Sequence, residues 1–207
     1  MKSKLLTLTT VSLLSLAASA VAQVVNPSFE DPITFDGPPF VGSWEGFAGG
    51  GASAANSTLN PYTGLQSLML TIDHTANTFA GAFQDIAVVS GTDYTFGGWN
   101  MTTSNPLDLG VEIRIEWRNS TSEVGRTPNL TPVPLSSYSA FSLTATAPAG
   151  ADTARIVYAV QSFSTNPLGN GVVFVDDISF APVPEPGTIA LLSLGGLALI
   201  AMRRRQA

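Results

Sequence analysis

The sequence predicts an all-β sandwich between residues 23 and 181, and three observations carry that prediction. Several segments alternate apolar and polar residues with a period of two. Clusters of Gly, Pro, Asn, Asp and Ser separate them, and no stretch in between has the 3.6-residue periodicity of an amphipathic helix. The longest alternation places Leu109, Val111, Ile113, Ile115 and Trp117 against Gly110, Glu112, Arg114, Glu116 and Arg118, one face buried and one wet. Leu68-Leu70-Ile72, Phe141-Leu143-Ala145, Ala154-Ile156-Tyr158-Val160 and Val172-Phe174-Asp176-Ile178-Phe180 share that spacing. The turns fall at Ser90–Asp93, Ser104–Pro106, Pro148–Asp152 and Asn166–Gly169. A short echo, Asn105-Pro106-Leu107 and Asn166-Pro167-Leu168, is the same turn feeding two strands.

Both ends stand apart from this pattern. Lys2 and Lys4 precede an apolar core from Leu5 to Leu16. Ala20-Val21-Ala22 then gives a small-x-small cleavage site, with Ala18-Ser19-Ala20 as the second choice. Residues 1–22 therefore form a signal helix, the mature chain begins at Gln23, and export through the Sec machinery follows. At the other end, residues 182–207 contain Pro184-Glu185-Pro186-Gly187, an apolar run from Thr188 to Met202 and Arg203-Arg204-Arg205. The two prolines keep the chain extended, and arginines after an apolar run stay cytoplasmic. The run over 188–202 reaches about 22 Å against a hydrocarbon core of about 30 Å, a transient inner-membrane anchor more than a permanent one.

This ordered tail resembles the PEP-CTERM sorting signals of exported proteins from Gram-negative, exopolysaccharide-producing bacteria. The resemblance implies recognition by an exosortase, a membrane-embedded cysteine transpeptidase. It also implies processing near Pro184, Glu185 and Pro186 and delivery to the cell surface or extracellular matrix.

Without both ends, residues 23–187 retain four bases, Arg114, Arg118, Arg126 and Arg155, against fifteen acids, a formal charge of −11 with no lysine. Such a surface excludes nucleic-acid partners, whose phosphates require a basic footprint, and disfavours anionic lipid. It leaves divalent cations as counterions. Cysteine is absent, so the core alone, or a core with a metal, holds the exported domain.

The domain opens with Asn26-Pro27-Ser28-Phe29-Glu30 and closes with Val175-Asp176-Asp177-Ile178-Ser179-Phe180. Between them lie Gly64-Leu65-Gln66-Ser67-Leu68, Phe83-Gln84-Asp85-Ile86, Ser90–Phe96 and Ala147–Ala151. In that order the segments resemble jelly-roll carbohydrate-binding modules of the galactose-binding-like group. The resemblance implies one structural Ca2+ where the first and last strands meet, with Glu30 and Asp176 as ligands beside carbonyls near Ser28 and the Gly64–Ser67 turn. The alternative is a surface Asp-Asp pair at a strand end. It also implies that Trp99, opposite in parity to Tyr94 and Phe96, can stack on a sugar. The alternative there is core filling after a bulge at Gly97-Gly98. Glu112, Arg114 and Glu116 would bond sugar hydroxyls, or form an ordinary solvated stripe. Trp117 has core parity, and Trp44 and Tyr62 are weaker platforms in loops.

Catalysis finds no constellation. His74 is the only histidine, no cysteine is available, and no Gly-x-Ser-x-Gly elbow occurs. The expectation is a non-enzymatic surface or matrix protein that binds polysaccharide, a neutral one given the −11 charge. A structural matrix protein that binds no sugar, or a glycan-active enzyme with an acidic pair, are the alternatives.

Overall fold

The computed structural model describes residues 23–38, 40, 44–73, 77–105, 107–162 and 169–184. The expected signal helix with Ala20 and Ala22, the apolar run 188–202, Glu185, Pro186, Arg203, Arg204, Arg205 and His74 lie outside the described residues. Among those described, no helix is long and apolar enough to cross a membrane.

Among the described residues ten strands form two five-stranded sheets: β1 (Glu45–Gly49), β2 (Ala52–Ser57), β3 (Ser67–Asp73), β4 (Phe79–Ala87), β5 (Asp93–Thr102), β6 (Gly110–Asn119), β7 (Ser122–Arg126), β8 (Ser139–Thr146), β9 (Thr153–Gln161) and β10 (Asn170–Pro182). The first sheet has the order β1-β4-β9-β6-β7 and the second β2-β3-β10-β5-β8. Every ladder between these strands is antiparallel. The sandwich follows from the alternation: Val111, Ile113, Ile115 and Trp117 of β6 turn inward with Ile156 and Val160 of β9. They meet Leu68, Leu70 and Ile72 of β3 and Phe96 of β5. One polar pair crosses this core, Asn100 Nδ2 donating to the Tyr158 hydroxyl at 2.9 Å, and burial pushes the Tyr158 phenol up.

The last strand departs from its expected parity. Val173 and Val175 face the core together with Ile178 and Phe180, whereas Phe174 and Asp176 lie on the outer side. A bulge between Asp176 and Ser179, with Asp177 at φ 47°, inserts the residue that switches faces. Strict alternation from Val172 to Phe180 is therefore corrected: Val172, Phe174 and Asp176 share one face, and Ile178 and Phe180 the other. The opening segment docks at this bulge, Ile178 N donating to Pro27 O at 2.9 Å.

Candidate functional site

The outer face of the first sheet carries a connected set of ion pairs and hydrogen bonds. Glu112, Arg114, Glu116 and Arg118 project from β6 opposite its buried residues. Arg114 Nε donates to Glu116 Oε1 at 2.8 Å, its Nη1 lies 3.6 Å from Glu112 Oε2, and Arg118 Nη1 lies 3.6 Å from Glu116 Oε2. From β9, Gln161 Nε2 donates to Glu112 Oε1 at 2.7 Å. The predicted charged stripe is thus an ordered, charge-balanced array of donors and acceptors.

On the same face, across β9 from this array, runs a row of rings. Phe79 and Phe83 project outward from β4, and Phe47 from β1, where its register partner is Gly81. A Cβ on Gly81 would come within 2.4 Å of the Phe47 ring, and one on Gly49 within 2.9 Å of the Phe79 ring. The two rings therefore lie across backbone that only glycine leaves open. Phe47 is 6.2 Å from Phe79 and 6.3 Å from Phe83, and Phe79 is 46% exposed.

The row ends in a cleft of about 470 Å3 lined by Pro38, Phe40, Asp85, Arg118, Ser120, Thr121 and Arg155. Arg155 forms a two-pronged bond with Asp85, at 2.7 and 2.8 Å, while its guanidinium sits 3.9 Å from the Phe83 centroid and 4.7 Å from that of Phe40. Buried Glu45 fixes the approach to Phe40: Oε1 accepts from Gly37 N at 2.8 Å, and Oε2 from Thr34 Oγ1 at 3.0 Å. On the far wall Arg118 Nη2 donates to Thr121 O, and Asp152 accepts from Ser120 N at 3.0 Å. That backbone bond holds the Asp152 carboxyl below its usual range.

Trp99 is elsewhere. It projects from the outer side of the second sheet, as its parity predicts, while Glu112, Arg114 and Glu116 project from the first. The sandwich separates them, so the four do not line one site. Trp99 is half-buried because Tyr62 stacks on it, centroids 4.6 Å apart and planes 23° apart, and Tyr138 closes on Tyr62 at 4.9 Å. Partial burial pushes the Tyr138 phenol up to about 12. Trp44 is a core residue, 1% exposed, and Trp117 is buried as predicted.

Beneath this cluster Asp176, fully buried, accepts from Tyr62 N at 2.7 Å, Thr63 N at 3.2 Å and Asp177 N at 2.7 Å. Burial pushes its carboxyl up against the opposing pull of these bonds. Glu30 Oε1 accepts from Leu65 N at 2.9 Å and Gln66 N at 3.2 Å. Glu30 and Asp176 thus both bond the turn over residues 62–66. The groups facing them, however, are amide donors, whereas calcium needs six to eight oxygens. Glu30 Oε2 is the carboxylate oxygen of the pair that no described donor occupies.

A family model for the PEP-CTERM protein-sorting motif matches residues 182–205. The chain ends in a PEP-CTERM sorting motif. The PEP-CTERM motif implies export, processing by exosortase and sorting to the cell surface. No curated protein matches the sequence significantly. Several solved structures are similar to the sandwich that precedes the motif. TmCBM61 in complex with β-1,4-galactotriose aligns at TM-score 0.51 and 14% identity, over 78% of this chain and 99% of that one. The CBM22-1 xylan-binding domain from Paenibacillus barcinonensis Xyn10C gives 0.52 and 14%, over 82% and 99%. The enzymatically active domain of bacteriophage CBA120 tailspike protein 4 gives 0.59 and 17%, over 78% of this chain, which spans only 21% of that one. At such identity the likeness shows the fold: a two-sheet β-sandwich like those of carbohydrate-binding modules.

The rings at Phe47, Phe79 and Phe83 escaped sequence reasoning. In β4 the core side holds Ala80 and Ala82 and the outer side holds phenylalanines, the reverse of the usual pattern. The signal was there in the Phe79-Ala80-Gly81-Ala82-Phe83 alternation, where glycine between two rings marks a surface that rings can lie across.

Proposed function

We propose that residues 23–181 bind polysaccharide, without cleaving it, along the outer face of the first sheet. The observation that carries this reading is the row of Phe47, Phe79 and Phe83 across β9 from the ordered Glu112–Arg114–Glu116 array. Sugar rings have apolar faces that pack on aromatic rings, and their edge hydroxyls are both donors and acceptors. Ion-paired side chains held in place present both kinds of partner with little ordering cost on binding. Fold neighbours described as a galactotriose complex and as a xylan-binding domain support the same class of ligand. A glycosidase needs a carboxyl group to deliver a proton, whereas Glu112 and Glu116 each accept a bond from Gln161 or Arg114. Sorting to the cell surface supports the reading, since a module there is exposed to extracellular glycans.

Affinity electrophoresis in gels containing polysaccharide tests the reading. Phe79→Ala and Phe47→Ala should each weaken retardation on the order of tenfold, about 1.4 kcal/mol. Trp99→Ala, on the opposite sheet, should leave it unchanged. Loss of binding in Trp99→Ala but not in Phe79→Ala would move the site to the Trp99–Tyr62 stack. No retardation by any polysaccharide would favour a structural matrix role.

A further inference from the structure

We propose that the cleft between Phe40 and the Ser120–Thr121 turn reads a carboxylate on a sugar, so that the glycan recognised by this face is a polyuronate or carries uronate units. The proposal rests on the glycan-binding reading of the same face and adds the ligand's charge. It starts from where the charges lie. All four arginines of residues 23–187 belong to one sheet: Arg114 and Arg118 on β6, Arg126 on β7 and Arg155 on β9. Their ion-pair partners Asp85, Glu112, Glu116 and Glu123 are on the same sheet. With Glu45 of β1 as its one further acid, this sheet carries a net charge of −1, and the other −10 belongs to the rest of the domain. The net charge that favoured a neutral glycan is not the charge the ligand would meet.

Within the cleft the balance tips. Its lining includes two guanidinium groups and one carboxylate, which Arg155 already binds through both oxygens; Asp152, next to the lining, is engaged by Ser120 N and Thr153 Oγ1. A guanidinium has five N–H donors. Arg155 spends its Nε and Nη2 on Asp85, leaving Nη1 with no partner among the described residues. Arg118 is committed through Nη2 to Thr121 O and only loosely, at 3.6 Å, to Glu116. The hydroxyls of Ser120 and Thr121 add two more donors. The cleft thus has spare donors, a positive lining and a ring wall at Phe40, and its complement is a ring bearing an anionic acceptor. Both guanidiniums are mostly shielded, at 17% and 13% side-chain exposure, which strengthens a charge-assisted bond there. Repulsion from the acids elsewhere is screened over about 8 Å at physiological salt.

The test compares one polyuronate with the same polymer after chemical reduction of its carboxyl groups, and with a neutral glucan. The polyuronate should bind roughly tenfold more tightly than its reduced form, and that preference should shrink at high salt. Arg118→Gln, checked for an unchanged melting temperature, should bring the polyuronate towards the reduced polymer. If Arg118→Gln melts early, the salt dependence of the wild-type preference decides. Equal binding of acidic and reduced polymers overturns the carboxylate site and leaves the glycan face standing. A salt-insensitive preference, or one that survives in folded Arg118→Gln, also overturns it. No binding to any of the three overturns both.

Discussion

Glu30 and Asp176 grip the two halves of a single turn. Asp176 takes the N–H groups of Tyr62 and Thr63, and Glu30 those of Leu65 and Gln66. Gly64 is the hinge between the grips. Its φ is +62°, and a Cβ there would stand 2.1 Å from Glu30 Oε1. The grip also orients Tyr62, whose ring covers Trp99, the residue directly across the ladder from Asp176. Asp176→Ala should therefore cost on the order of 3 kcal/mol, since it strands buried amides that bonded a carboxylate. Denaturant midpoints measure this, and a wild-type midpoint in Asp176→Ala would dismiss the clasp.

The sequence was most legible where one face is fully apolar. In β6, β3 and β9 the alternation alone placed the core, because a one-residue slip would bury charge. It was least legible at β10, where Asp177 occupies a left-handed conformation that no period reveals. Its bulge put Asp176 outside the core and yet fully buried, under a loop the pattern did not foresee. For the candidate site residues only the face was legible, one residue at a time: Trp99 and Glu112 both lie on the outer sides of their sheets. Which sheet each belonged to depended on long-range strand order, which local spacing does not encode. The first and last segments did meet, because Pro27, Glu30 and Asp176 carry specific backbone partners.

Calcium at Glu30 and Asp176 is the proposal the family resemblance carries, and the donor geometry narrows how an ion could be held. With Asp176 occupied by amides, Glu30 Oε2 is the oxygen open to it. An ion that binds only the folded chain stabilises it by mass action. Chelator should then lower the melting temperature of residues 23–183, and Glu30→Gln should remove the sensitivity. An unchanged wild-type melting curve in chelator rejects the ion and leaves the amide clasp as the fastening.

The sorting motif begins where the sandwich ends. Pro182 is the last residue of β10, opposite Tyr94, and Val183 N makes one more bond, to Asp93 O at 2.8 Å. Pro184 follows directly, so processing at Pro184-Glu185-Pro186 removes none of these ladder contacts. A chain of residues 23–183 should consequently melt within a degree or so of residues 23–187, since neither loses a core contact. In cells, replacing Pro184, Glu185 and Pro186 with alanine should leave the full-length chain, tail uncut, in the inner-membrane fraction, while the sandwich stays folded and protease-resistant. Normal release of that variant would show that the motif does not direct sorting here. A lowered melting temperature in the 23–183 chain would show that the residues beyond Val183 belong to the fold.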